Sequence, residues 1–79
     1  MLCSTYCQGI ARFCTGANAQ FDTVPACETV CNSQTWPCGN PGDTTCNSLF
    51  CRIAHVALAG IGAAAAECPS AGPNSPTCR

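Results

Sequence analysis

Charge is the first thing this sequence lacks. Charged residues make up 9% of the 79 residues, lysine is absent, and three arginines stand against four acidic residues. A typical domain carries about 25% charged residues, and binding to nucleic acid or to anionic lipid needs clustered basic side chains. The composition therefore argues against both kinds of binding. It favours burial against another protein, because few charges would have to be desolvated.

Large apolar side chains are scarce as well: only 15 residues are Met, Leu, Ile, Val, Phe, Tyr or Trp. Chains this short bury a small fraction of their surface and usually need cross-links to fold. The ten cysteines can supply them, and an even number indicates complete pairing. We therefore expect one disulfide-stapled domain over residues 1–79, in an oxidising compartment: secreted, periplasmic or at the cell surface.

Two kinds of segment are also missing. Residues 1–3 leave no room for the charged and apolar regions of a signal peptide, so we expect a mature form whose leader was removed. The most apolar stretch, residues 53–66, is 14 residues long. A membrane span needs about 18 or more, and we therefore expect none.

No Cys-x2-Cys motif occurs, which argues against thioredoxin-like redox sites, c-type haem attachment and most zinc ribbons. Cys51 and His55 would share a helix face and could ligate a metal ion. Such a site would take cysteines away from the disulfides, so we expect His55 to be a packed or surface residue. The sequence predicts no metal site and no cofactor.

Acid–base catalysis needs carboxylates that converge in a pocket. Only four acidic residues are present, and each has a simpler role as a helix cap, turn or helix-end residue. A nucleophilic thiol would have to be unpaired and have a low pKa, which even pairing disfavours. We therefore expect no enzymatic activity.

The pattern of cysteine and apolar residues predicts an all-α fold. Cys3, Cys7, Ile10 and Cys14 follow helical spacing and predict a helix over residues 3–14. A second helix is predicted over 24–33, capped by Asp22 or Thr23. A third, Ala-rich helix is predicted over 46–66, after a turn-rich segment over 34–45. The Pro/Gly/Ser-rich segment from Pro69 onward is expected not to continue it.

Two Cys-x3-Cys steps are the most specific signal in the sequence. On antiparallel helices they would form matching rungs, which favours the nested pairs Cys3–Cys31 and Cys7–Cys27. The first candidates for the remaining pairs are Cys14–Cys51, Cys38–Cys46 and Cys68–Cys78. Other pairings stay open, because sequence alone does not fix connectivity.

The twin Cys-x3-Cys hairpin over residues 3–31 resembles the helical hairpins of small twin-cysteine proteins of the mitochondrial intermembrane space. A longer pattern resembles uncharacterised Cys-rich exported domains of bacteria. It includes Cys14-Thr15-Gly16-Ala17-Asn18, Cys51-Arg52-Ile53-Ala54-His55 and Cys68-Pro69-Ser70-Ala71-Gly72. The resemblance implies export and a disulfide-rich fold but no established activity.

These observations lead to one main functional hypothesis: a non-enzymatic structural or accessory subunit of an exported or cell-surface assembly, with a protein partner or self-assembly. The alternatives are a freely secreted binding module (an inhibitor, toxin or signal) and a metal-binding or thiol-redox protein. The candidate partner-binding residues are Trp36 on a loop and the small residues of the third helix: Ala59, Gly62 and Ala63.

Overall fold

A computed structural model describes residues 2–33, 36 and 45–79. Within these ranges the chain is helical and contains no strand, which confirms the all-α prediction. Helix α1 (Leu2–Phe13) packs against both α2 (Val24–Ser33) and α3 (Leu49–Leu58). The contact with α3 is close: a side-chain carbon added at Gly9 would lie 2.9 Å from Val56 Cγ1.

Helix α1 spans Leu2–Phe13, within one residue of the predicted range at each end. Its buried face comprises Tyr6, Cys7 and Ile10, as the helical spacing requires. Gly16 follows with a φ of +57°, a conformation that glycine adopts without steric cost. A short 3₁₀ turn, Gly16–Asn18, then starts the connection to the next helix.

Helix α2 spans Val24–Ser33, as predicted. The backbone N–H of Ala26 donates to Thr23 Oγ1 at 3.1 Å, so Thr23 acts as the capping residue. Cys27 and Cys31 are buried on the face toward α1.

The prediction of one continuous third helix over 46–66 is wrong. The chain forms α3 over Leu49–Leu58, a π-helical turn over Ala59–Ala63 and α4 over Ala64–Ala71. Helix α3 begins at Leu49 because the side chain of Ser48 caps it, accepting from the Cys51 N–H at 3.0 Å. Ile61 and Gly62 leave the helical region inside the turn, and Gly62 has a φ of +109°. Glycine is the residue that ends helices in this way.

The chain reverses direction at this turn, so α3 and α4 form a second helical hairpin. Glu67 of α4 lies beside His55 of α3, and the Gly72 carbonyl lies beside Arg52. The helix also continues through Pro69 to Ala71, contrary to the prediction. Tertiary contacts hold this last turn, since the Tyr6 hydroxyl donates to the Ala71 carbonyl oxygen at 2.5 Å.

Two disulfides lock the α1–α2 hairpin, and two more tie α3 and α4 to other parts of the chain. The nested pairs Cys3–Cys31 and Cys7–Cys27 are present, with Cα–Cα distances of 5.8 and 5.7 Å. The predicted pairs Cys14–Cys51 and Cys68–Cys78 are wrong; the structure has Cys14–Cys68 and Cys51–Cys78. The reason is the reversal at Gly62, which returns Cys68 to the end of α1. Cys38 and most of the predicted turn segment lie outside the described residues. Cys46 is disulfide-bonded, and the pair Cys38–Cys46 stays a prediction.

Candidate functional site

The side chain of Arg52 is the centre of a buried polar cluster between α3 and the segment after α4. Arg52 is 3% exposed. Its Nε donates to the Gly72 carbonyl at 3.0 Å, Nη1 to the Ser48 carbonyl at 3.1 Å, and Nη2 to the Cys78 carbonyl at 3.3 Å. These acceptors hold the end of the described chain against the start of α3.

The ring of Trp36 covers this guanidinium, with Arg52 Cζ 4.1 Å from the ring centroid. Tyr6 packs edge-on against the same ring at a centroid distance of 6.0 Å. Burial lowers the pKa of Arg52 from its usual value, while the nearby Tyr6 partly opposes this shift. Carbonyl oxygens and an indole ring around a cation stabilise its charged form.

The segment that follows α4 has anchors of its own. Ser75 Oγ accepts from the N–H of Cys78 at 2.7 Å and from the N–H of Thr77 at 3.1 Å. The hydroxyls of Ser70 and Thr77 lie 2.9 Å apart and share a hydrogen bond. The position of Cys78 therefore depends on several backbone and side-chain hydrogen bonds as well as on its disulfide.

His55 lies one helical turn after Cys51, on the same face of α3. Its Nδ1 contacts Glu67 Oε1 at 2.5 Å, which ties α3 to α4. His55 is 7% exposed, in accord with the expectation of a packed histidine. The sequence did not indicate that Cys78 would join Cys51 and His55, because Cys78 was assigned to Cys68.

The predicted partner-binding residues do not lie together on one exposed face. Ala59 is 4% exposed and belongs to the core, so its assignment to a contact surface is wrong. Trp36 is half-buried over Arg52 and Tyr6 and covers the core. Gly62 is exposed and Ala63 is half-buried; both lie in the turn between α3 and α4.

The large apolar residue with the greatest exposure in the described chain is one that sequence reasoning passed over. Ile61 is 79% exposed at the apex of the α3–α4 hairpin, and Leu58 is 36% exposed one turn before it. We call Leu58 and Ile61 the apex pair. Ile61 is exposed at the apex because the chain reverses at Gly62. In one continuous helix, Leu58 and Ile61 would instead lie on a single apolar face.

A cleft of about 190 Å³ lies between the end of α1, the 3₁₀ connection and the start of α2. It is lined by Ile10, Phe21 and Val24 with the polar side chains of Gln20 and Thr23. Pockets that enclose small organic ligands usually exceed about 300 Å³, so this cleft is small for such a role.

By length and composition alone, Leu49–Ala71 is long and apolar enough to cross a membrane. This segment is longer than the apolar stretch identified in the sequence. As folded it reverses at Gly62, and α3 by itself has ten residues, about 15 Å at 1.5 Å per residue. A bilayer core is about 30 Å thick. The absence of a membrane span stays a prediction.

In the part of the chain that the structure describes, the two helical hairpins, their disulfides and the buried polar cluster define a cysteine-rich helical domain. The chain matches the family model of the BfoA family C-terminal domain over residues 1–77, and it belongs to that family. A search of curated proteins and a search of solved structures found no match. The disulfides are compatible with an oxidising, extracellular compartment.

Proposed function

We propose that this domain is a non-enzymatic accessory module of an exported or cell-surface assembly, and that the apex pair contacts another protein of that assembly. The observation that carries the proposal is the exposure of Ile61, 79%, at the tip of a disulfide-anchored hairpin. A large apolar side chain presented on a rigid support is a typical anchor for a complementary pocket.

The surroundings of the apex pair support this proposal. Ala57 and Ala65 are exposed near it along the chain and are small, so a partner surface could approach the backbone closely there. The nearest charged residues along the chain are Arg52 and Glu67. Arg52 is buried, and Glu67 is engaged with His55. Little polar surface would therefore need to be desolvated on contact. The partner we expect is a protein with an apolar pocket that accepts Ile61.

The family supports the accessory role, because its name describes a C-terminal domain. The low charge and the scarcity of carboxylates support a role without catalysis. All eight cysteines of the four described disulfides are engaged in the fold, which leaves none of these thiols for nucleophilic chemistry.

The test is site-specific photo-crosslinking in the exporting cell, with the cross-linker at position 61. A matched control carries the cross-linker at Leu2, which is 51% exposed. Leu2 lies at the start of α1, about 16 Å along the helix from Phe13, and the ring of Phe13 packs at Gly60 beside the apex pair. We expect a discrete protein adduct from position 61 and not from position 2. Leu58→Glu should abolish the adduct and preserve the far-UV circular dichroism spectrum.

Light scattering of the purified domain separates self-assembly from binding to a different chain. Adducts at both positions, or no adduct at position 61, would overturn the assignment of the apex pair. A monodisperse monomer without an adduct favours a freely secreted module instead.

A further inference from the structure

The apex pair and the cleft beside α2 lie at the same end of α1 but on opposite sides of that helix. A side-chain carbon added at Gly9 would lie 2.9 Å from Val56 Cγ1, and one added at Gly60 would lie 2.9 Å from Phe13 Cε2. Gly9 and Phe13 therefore face α3 and the apex. Ala11 lines the cleft and is two residues from each of them. Helical residues two apart project about 200° from each other around the axis, so the two surfaces face away from each other.

The cleft has room for one aliphatic side chain. Its volume is about 190 Å³, and its apolar walls are Ile10, Phe21 and Val24. The ring of Phe21 is held in place by edge-on packing against Tyr6, at a centroid distance of 6.4 Å. Because an apolar cavity of about 150 Å³ can enclose a benzene-sized group, this cleft can accept the branched side chain of an isoleucine.

Two polar side chains of the cleft already have partners, and a third is charged. Gln20 Nε2 donates to the Asn18 carbonyl at 3.0 Å, and Thr23 Oγ1 accepts from the N–H of Ala26 at 3.1 Å. An apolar occupant would leave both of these groups satisfied. Asp22 also lines the cleft and is exposed. In the part of the chain that the structure describes it forms no ion pair, so an occupant that carries a cation would complement it.

The apex of the same molecule presents both an aliphatic side chain and a cation. Ile61 is 79% exposed. Arg12 is exposed as well, and its Cζ lies 5.5 Å from the centroid of the Phe13 ring, which meets Gly60. Arg12 likewise forms no ion pair among the described residues. The apex therefore matches the cleft in size, in apolar character and in the sign of its charge.

We propose that the protein contacted by the apex pair is a second copy of this chain. Ile61 of one copy enters the cleft of the next, where Arg12 of the first copy pairs with Asp22 of the second. This inference rests on the proposed function and names its partner. Because the apex and the cleft are different surfaces on opposite sides of α1, every contact leaves one apex and one cleft free at the ends. Copies therefore add head to tail and form an open chain, as heterologous contacts do when the rotation does not close.

Analytical ultracentrifugation of the purified, oxidised chain tests this contact. Ile61→Glu disables the apex, and Ala19→Arg blocks the cleft, which Ala19 lines as an exposed residue. Ala17→Arg is the matched control, because Ala17 is exposed in the same connection but does not line the cleft. We expect the sedimentation coefficients of the wild type and of Ala17→Arg to rise with concentration. Each interface variant alone should sediment as a monomer.

Mixing the two interface variants gives the decisive measurement. Ile61→Glu retains an intact cleft, and Ala19→Arg retains an intact apex, so only one kind of contact can form between them. We expect an equimolar mixture to form a 1:1 dimer and nothing larger. A wild type that stops at a dimer would indicate a closed two-fold contact and would overturn the head-to-tail arrangement.

Charge reversal gives an independent readout. Arg12→Asp and Asp22→Arg should each weaken the association by at least roughly 1.5- to 5-fold, the effect of losing one exposed ion pair. The double variant Arg12→Asp/Asp22→Arg should recover it, because each contact again joins opposite charges. Far-UV circular dichroism verifies that every variant keeps the helical fold.

A mixture that stays monomeric, or a double charge variant as weak as the single ones, would contradict the proposal of a second copy. So would equal effects of Ala17→Arg and Ala19→Arg. The proposed function is tested separately, by the adduct at position 61 in the cell. An adduct with a different protein and a monomeric mixture would retain the apex as a contact surface and exclude self-assembly. A dimeric mixture without any adduct in the cell would retain self-association and contradict the proposed function.

Discussion

Tyr6 is 1% exposed, and its hydroxyl bonds to a backbone carbonyl inside the core. Burial raises the pKa of this phenol well above its usual value of 10.0, and the cation of Arg52 only partly opposes the shift. Because the folded-state pKa is raised, the contribution of Tyr6 to stability is complete below pH 10. It is lost as the pH rises from there toward the folded-state pKa.

The chain has one tyrosine, so the phenolate absorbance reports this residue alone. We expect the native chain to develop that absorbance at a higher pH than the reduced, denatured chain does. Rapid mixing limits alkaline damage to the disulfides during the measurement. Coincident titration curves would show that Tyr6 is accessible to solvent in the native state.

Arg52 carries a second prediction at the residue scale. Arg52→Ala should lower the free energy of unfolding by at least about 3 kcal/mol, because each buried carbonyl left without a donor costs about 1–3 kcal/mol. Arg52→Lys should not restore stability, since an ammonium group cannot reproduce the planar fork. Urea denaturation measures both variants. Arg12→Ala is the exposed control and should change stability by no more than about 0.5 kcal/mol.

The sequence does not reveal the role of Arg52, because its partners are mostly backbone carbonyls from residues about 20 to 26 positions away. A hydrogen bond to a main-chain carbonyl does not require a particular residue type at the acceptor. Such partners therefore leave no recognisable pattern in the sequence. The same holds for Cys78, whose approach to Cys51 and His55 depends on a chain reversal. Only the pair Cys51 and His55 was apparent, from its helical spacing.

At the scale of single elements, Gly62 decides the shape of the second hairpin. A carbon added at this glycine would meet no atom within 4 Å, but its φ of +109° is one that L-residues rarely adopt. Gly62→Ala should therefore destabilise the fold by about 1–2 kcal/mol through backbone strain alone.

The matched control for this prediction is D-alanine at position 62, introduced by ligation of a synthetic peptide. It has the same side chain and favours positive φ, so its stability should equal or exceed that of the wild type. Thermal unfolding followed by circular dichroism compares the two. An equal loss of stability in the L-alanine and D-alanine variants would contradict this prediction. It would mean that the added methyl group clashes with its surroundings and that backbone strain is not the cause.

The two hairpins differ in how far the sequence specified them. The α1–α2 hairpin was predicted closely, including its nested disulfides, because cysteines four apart on facing helices leave few geometric options. The α3–α4 hairpin was predicted as one helix, because alanine favours helix on every face and no polar turn residue marks the reversal. The sequence does contain two glycines at the reversal, in Gly60-Ile61-Gly62. Glycines within a helix are also compatible with the close approach of a second helix, so they did not identify a turn.

At the scale of the whole molecule, Cys14–Cys68 is the described disulfide that joins one hairpin to the other. It closes a sequence separation of 54 residues, against 20 for Cys7–Cys27. Replacing the pair by alanine should cost about 4 kcal/mol by the loop-entropy estimate, compared with about 3 kcal/mol for the shorter loop. Urea denaturation of the two double variants tests that order.

Complete reduction should remove the fold altogether, because the apolar core is too small to persist without its cross-links. Far-UV circular dichroism before and after reduction measures the loss. A helical signal that is retained after full reduction, in the absence of any metal ion, would show that the core alone is sufficient.

The described disulfides limit how far the domain can be stretched. Under tension the load between Cys3 and Cys78 is shared by two paths. One runs along residues 3–14, through the Cys14–Cys68 bond and along residues 68–78. The other runs through the Cys3–Cys31 bond, along residues 31–51 and through the Cys51–Cys78 bond. Each path extends to about 80 Å at most, whereas an unbridged chain between the same residues would reach roughly 260 Å. Residues 52–67 lie on neither path while the disulfides are intact. A pulling force on a surface assembly would therefore leave the α3–α4 apex without load.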